Sequence, residues 1–177
     1  MRVLKTIFTC FFSFFSLIIG GYALYYFVIF PYFFHTVKIV HVIDADTIQI
    51  LDRQKLQTIQ LIGVDAPEYN LDQQFHQCYD QESLKIATER YFSKNAEVQL
   101  VNDKNLGDKD PYGRTLRYVY LKNGDLLNEK LIQDGLARQF LMPYEQYQYQ
   151  DRLEKAQISA KNDQLGIWHP RGCDGRY

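Results

Sequence analysis

Two patterns of apolar residues divide this chain. From Thr6 to Phe34 no position carries a charge, and from Ile7 to Phe30 the residues are almost entirely apolar, with no polar face at helical or strand spacing. As a helix rising 1.5 Å per residue, that stretch of 24 positions reaches about 36 Å, slightly more than the ~30 Å hydrocarbon core of a bilayer. Tyr22, Tyr25, Tyr26 and Tyr32 gather toward its far end, where an aromatic belt meets headgroups, and Pro31 offers a stop. A domain of this size has no interior for a helix that is apolar all round, so residues 1–35 are expected to form a cytoplasmic stub and a transmembrane anchor. A cleaved signal peptide is the rival reading, because Gly21-Tyr22-Ala23 supplies small residues for a peptidase. Cleavage there leaves an apolar new N-terminus at 24–30, which favours the uncleaved anchor. Arg2 and Lys5 precede the span, against His35 and Lys38 after it. That bias places the N-terminus in the cytoplasm and the C-terminal domain outside, a single-pass, extracytoplasmic arrangement. A cytoplasm-facing domain is the alternative, since one lysine decides the topology.

Beyond Thr36 the period changes to two. Residues 37–43 and 47–51 alternate as strands around the turn-forming Asp44-Ala-Asp46, and 57–64 reads as a third strand after the turn 52–55. A helix is expected over 80–92 with Asp80 as its cap, then strands over 98–101 and 117–121 joined by the charged loop 102–114. A second helix over 126–134 is stopped by Gly135 at the left-handed position after it. A third covers 147–162, ahead of Gly166-Ile-Trp168. Five short strands with one helix inserted and two at the end predict an α+β domain over 36–177, a small closed barrel packed on helices.

Composition sharpens the division. The charge-free run holds nine of the 12 Phe, and the residues beyond it carry 18 basic against all 21 acidic residues. Disorder, fibres and a polytopic membrane protein are excluded, and so is a broadly basic nucleic-acid coat. Cys10 lies in the apolar run as a small hydrophobe. Cys78 and Cys173 have no partner at metal-ligand spacing, and His35, His41, His76 and His169 form no zinc pattern. In an oxidising compartment the two cysteines can tie the tail to the body, adding roughly 4–5 kcal/mol by chain entropy; elsewhere they remain two thiols.

Three clusters carry chemistry. Asp44-Ala-Asp46-Thr47 supplies turn carboxylates that by themselves need only bond their own backbone. In Asp65-Ala-Pro-Glu68, Pro67 makes Ala66 extended and holds Asp65 and Glu68 in fixed directions. Tyr112-Gly-Arg114 alone is a hairpin turn with a solvated guanidinium. Two carboxylates from separate strands with a nearby carbonyl form a hard oxygen site suited to Ca²⁺ or Mg²⁺. With a spare carboxylate and an arginine added, the inventory matches metal-assisted phosphodiester hydrolysis.

Those residues resemble the staphylococcal nuclease (thermonuclease) family. Ile43-Asp-Ala-Asp-Thr47, Gly63-Val-Asp-Ala-Pro-Glu68, Asp110-Pro-Tyr-Gly-Arg114, Leu127-Asn-Glu129 with Gly135-Leu-Ala137, and Gly166-Ile-Trp168 stand in that family's order and spacing. The resemblance implies an OB-fold barrel with three helices and Ca²⁺-dependent cleavage of DNA and RNA leaving 3′-phosphates. It makes Asp46, Asp65 and the Ala66 carbonyl the metal ligands, with Asp44 orienting them. Glu68 becomes the general base, Arg114 the stabiliser of the transition state, and Tyr112 a nucleotide contact. Leu127, Asn128, Glu129 and Trp168 match structural positions. Cys78 and Cys173 resemble a pair found in exported or tethered members, and no obligate protein partner is implied.

One position departs from the pattern. Five residues before Asp65, where the family carries a second arginine, this chain has Gln60. A neutral amide offers neither the charge nor the fork of a guanidinium, and losing such a contact costs about 10²–10³ in rate. Lys55 or Arg53 from the adjoining turn can substitute, or the chain is a catalytically weak or inactive OB-fold module that binds nucleic acid or protein at the membrane. Arg114, Arg117, Lys104 and Lys109 are the candidates for a local basic groove. Phe140 and Tyr144 are candidates for base stacking, Phe140 equally for core packing.

Overall fold

The computed structural model describes residues 20–21, 36–69, 77–92, 96–141, 146–170 and 173–177. The chain divides into two units, Met1–His35 and Thr36–Tyr177, and the elements below belong to the second. Among the described residues no helix is long and apolar enough to cross a membrane. Apart from Gly20 and Gly21, the run 6–34 expected to form the anchor lies outside the described residues.

The strands are β1 (Thr36–Val42), β2 (Thr47–Asp52), β3 (Lys55–Leu61), β4 (Val64–Asp65), β5 (Glu97–Val101), β6 (Thr115–Leu121) and β7 (Arg138–Gln139). The helices are α1 (Asp80–Arg90), α2 (Leu127–Gln133) and α3 (Gln150–Asn162), and Gly166–Trp168 forms a 3-10 turn. Five strands close into a barrel in the order β1-β2-β3-β6-β5, while β4 and β7 pair separately. The β3–β6 pairing is parallel and the other barrel pairings are antiparallel. The alternation in the sequence has the expected consequence: Val37 and Ile39, Ile48 and Ile50, Ile59 and Leu61 are buried two apart on one face. Strand β6 is buried on both faces, since Leu116, Tyr118 and Val119 all lose their exposure. Asn128 of α2 explains how: its Oδ1 accepts from the Val119 N–H at 2.9 Å and its Nδ2 donates to the Ile62 carbonyl at 2.9 Å. A fully buried amide is therefore satisfied on both sides while it docks the helix on the barrel.

Several boundaries differ from the sequence expectation. The alternation of β1 holds through Val40 and fails past the bulge between Ile39 and His41, since His41 is exposed where a buried position is expected. The third strand ends at Leu61 rather than continuing to Val64, because Gly63 turns the chain at φ +72°, where a Cβ would come within 2.8 Å of Leu153 and Tyr147. Past that corner, Val64–Asp65 starts a separate ladder against Arg138–Gln139. The cap of α1 is Tyr79, in the left-handed region, and Asp80 is the first helical residue. Gly135 follows α2 with φ +68°, as expected. Cys78 and Cys173 form a disulfide, so the two-thiol alternative is set aside.

Candidate active site

The β1–β2 connection curls back on itself: the Ile43 N–H donates to the Thr47 carbonyl at 3.0 Å, and Asp44 Oδ1 accepts from the Asp46 N–H at 3.0 Å. This Asx-type turn spends Asp44 on local geometry and turns Asp46 toward the next segment. Asp46 Oδ2 accepts from the Ala66 N–H at 2.7 Å. Thr47 Oγ1 lies 2.8 Å from Asp46 Oδ1 and 2.9 Å from Gln60 Oε1, with one proton to give to either. Asp44 and Asp46 are both buried, and Ala66 is buried beside them.

Asp65 on β4 lies opposite Arg138 on β7, and Arg138 Nε donates to Asp65 Oδ2 at 2.7 Å. The Tyr177 hydroxyl donates to the Asp65 carbonyl oxygen. Beyond Pro67 the Glu68 side chain is exposed, and its backbone N–H donates to Gln77 Oε1 at 2.6 Å. Arg114, at the start of β6, is aimed by Asp110. Oδ2 of that aspartate accepts from Arg114 Nε at 2.6 Å, while Oδ1 accepts from the Arg114 and Tyr112 backbone N–H groups at 2.9 and 3.0 Å. Arg114 Nη1 also reaches Thr47 Oγ1 at 3.5 Å. The Tyr112 ring is 85% exposed, with its centroid 5.5 Å from the Arg114 guanidinium carbon.

These groups meet in one cleft of about 720 Å³, lined by Asp46, Asp65, Glu68, Tyr112 and Arg114 together with Gln60, Lys109 and Phe140. Burial first, then the Asp46 and Glu68 charges, push the Asp44 carboxyl well above the usual carboxylate range. Burial and the Asp46 charge also raise Glu68, with Arg114 pulling the other way. Among the described residues no set of three or more His, Cys, Asp or Glu side chains is gathered closely enough to enclose a metal unaided.

Of the residues expected from sequence, Asp46, Asp65, Glu68, Tyr112 and Arg114 share the cleft, with Asp44 and Ala66 packed behind them. Lys55 and Arg53 do not replace the missing arginine. Lys55 pairs with Asp52 at the far end of the β2–β3 hairpin, five strand positions from Gln60, a separation of about 16 Å. Arg117 is turned away onto Asp108 at 2.7 Å, which leaves Lys109 as the groove lysine in the cleft. Phe140 is 45% exposed and lines the cleft rather than the core; Tyr144 lies outside the described residues. Sequence reasoning gave no role to Asp110, Arg138 or Tyr177. Asp110 was legible as an Asx residue four positions before Arg114, whereas the other two come together with Asp65 only through tertiary structure.

Residues 58–170 match the family model described as staphylococcal nuclease homologue. The chain is 42% identical over 134 residues to a thermonuclease of Staphylococcus hyicus, covering 75% of each protein. It is 38% identical over 128 residues to a thermonuclease of Staphylococcus intermedius, covering 72% of each. A third relative is the endonuclease YncB of Bacillus subtilis, 34% identical over 131 residues, 73% of this chain and 60% of that protein.

Proposed function

The chain belongs to the staphylococcal nuclease family, and from that premise we propose that it is a Ca²⁺-dependent nuclease hydrolysing phosphodiester bonds of DNA and RNA with low sequence specificity, leaving 3′-phosphates. The observation that carries this reading is the bond from Ala66 N–H to Asp46 Oδ2, which joins the two acidic segments at the cleft that Glu68 and Arg114 also line. The names of the relatives, thermonuclease and endonuclease, point the same way.

The residues fit a divalent cation. Asp46, Asp65 and the Ala66 carbonyl would hold it, and the crowding of buried negative charge is what such an ion relieves. When bound, calcium polarises the phosphoryl oxygen as a Lewis acid. Glu68, exposed to the cleft, takes a proton from the attacking water as its oxygen bonds to phosphorus. Arg114, locked by Asp110, hydrogen-bonds the equatorial oxygens as charge builds on them. The bond to the 5′-oxygen breaks, that oxygen takes a proton from solvent, and the phosphate stays on the 3′ side. Tyr112 offers an exposed ring to the nucleotide beside the phosphate, and Phe140 offers an apolar surface across the cleft.

Gln60 favours a second reading, a weakly catalytic or inactive nucleic-acid or protein-binding module, because the neutral amide supplies no second guanidinium. The Cys78–Cys173 bond supports placement in an oxidising compartment, consistent with an extracytoplasmic domain tethered to the membrane by residues 1–35. The test is end-group analysis of digested plasmid and single-stranded DNA. The expected fragments carry 5′-hydroxyls that a polynucleotide kinase labels without prior dephosphorylation. Fragments with 5′-phosphates, or no fragments at all, would overturn the assignment.

A further inference from the structure

Asp65 sits on a strand of two residues whose ladder partner is equally short. So small a ladder fixes a side chain weakly, and the Asp65 carboxylate is 29% exposed. What adds to it is side-chain contact with the residue directly opposite and with the C-terminal segment. Arg138 Nε holds Oδ2 at 2.7 Å, and holding one oxygen sets the carboxylate plane and the direction of the other. The Arg138 guanidinium is itself held, its central carbon 4.4 Å from the centroid of the Tyr177 ring. The hydroxyl of that same tyrosine donates to the Asp65 carbonyl oxygen. Tyr177 thus touches both the metal-side residue and the cation that orients it.

The segment carrying Tyr177 is anchored rather than trailing. Gly175 N–H donates to the Ile167 carbonyl at 2.7 Å, Arg176 N–H donates to the Cys173 carbonyl at 3.0 Å, and Cys173 is buried in its bond to Cys78. At the other end of that bond, Gln77 is the residue that accepts the Glu68 N–H. The disulfide therefore joins the two segments that grip the Asp65–Glu68 stretch, one at each end.

We propose that Arg138 and Tyr177 are positioning residues for the Asp65 carboxylate, and that the Cys78–Cys173 bond, by anchoring both grips, is part of how this chain builds its calcium site. This rests on the calcium reading above and extends it to residues outside the cleft.

The test is calorimetric titration of Ca²⁺ into the full chain for wild type, Arg138→Met, Arg138→Lys, Tyr177→Phe and Cys78→Ser/Cys173→Ser, with thermal unfolding of each in chelator. Groups that orient a metal ligand typically contribute about 10–100-fold in affinity, and Arg138→Met is expected to weaken calcium by that factor. Arg138→Lys recovers part of the loss, Tyr177→Phe weakens binding several-fold, and the double serine variant weakens calcium binding even at temperatures where its chelated form is still folded. Unchanged affinity in Arg138→Met and Tyr177→Phe would overturn the proposal. Tighter binding in Arg138→Met would do so too, by making the guanidinium a competitor for Asp65. Tyr177→Phe retains the ring and keeps the test open if the serine variant does not fold. No uptake by wild type would instead remove the calcium site, and the functional reading with it.

Discussion

Asp46 and Ala66 are separated by 20 positions in sequence, and the Ala66 N–H donates to Asp46 Oδ2 across 2.7 Å. The bond links the β1–β2 turn to the segment after β4 and leaves a charged, buried carboxylate beside Asp44 and Glu68. Repulsion among these groups costs the fold stability, and the proposed cation would relieve it. Asp46→Asn keeps an acceptor for Ala66 and removes the charge. It is expected to lose calcium uptake and at least about 10²-fold in cleavage, while the unfolding midpoint in chelator holds or rises. A fall in that midpoint with activity retained would show that Asp46 is there for structure.

Arg114 is aimed by Asp110, so Asp110→Asn should act on catalysis through Arg114. The amide can still accept the Tyr112 and Arg114 backbone bonds, but the charged contact to Nε is lost. A displacement of about 1 Å in such a group costs on the order of 10²-fold in rate. The expected result is a lower single-turnover rate with calcium affinity unchanged; an unaltered rate would mean that Arg114 is held by other contacts.

Gln60 lines the cleft without charge, and Lys109 lines the same cleft. Gln60→Arg should speed cleavage and steepen the fall of nucleic-acid affinity with salt by about 0.7–0.9 in logarithmic slope, one added phosphate contact. An unchanged rate and slope would mean that Lys109 already supplies that charge, and Lys109→Ala would then carry the loss.

The acid limb of stability should run through Asp103, which is buried away from the cleft. Burial alone would raise its pKa. Hydrogen bonds from the Tyr118 hydroxyl at 2.6 Å and from the Gln148 and Asn105 N–H groups at 2.7 Å each outweigh that and hold it below its ordinary 3.8. A depressed folded value means that the stabilisation is complete above the unfolded value and is lost as pH falls through the folded one. The part of the wild-type urea midpoint that Asp103 supplies should therefore be complete at neutral pH and be lost below about pH 4. Asp103→Asn should start lower and fall less; equal acid slopes in the two proteins would contradict this.

The barrel was legible because period-two alternation survives in Val37/Ile39, Ile48/Ile50 and Ile59/Leu61. The cleft was legible because its acids and Arg114 occupy short motifs in which turn chemistry and Pro67 fix direction locally. What the sequence hid is set by tertiary contact. Gly63 looked like one position within a continuous strand, yet the close approach of Tyr147 and Leu153 makes it a corner. His41 reads as an inward position of the alternation until the β1–β2 register shifts before it. Arg138 and Tyr177 lie 73 and 112 positions from Asp65, and nothing in their own neighbourhoods marks them as its partners. Lys55 looked close to Gln60 because sequence distance ignores the length of an extended hairpin.

Cleavage of plasmid and single-stranded DNA by wild type and Glu68→Gln, with calcium and with chelator, tests the central claim most directly. Wild type should consume both substrates only with calcium. Glu68→Gln, altered at an exposed side chain, should keep its fold and calcium uptake while losing about 10²–10⁴-fold in rate, the range for a general base. Cleavage that proceeds equally in chelator, or a Glu68→Gln variant as fast as wild type, would contradict the account.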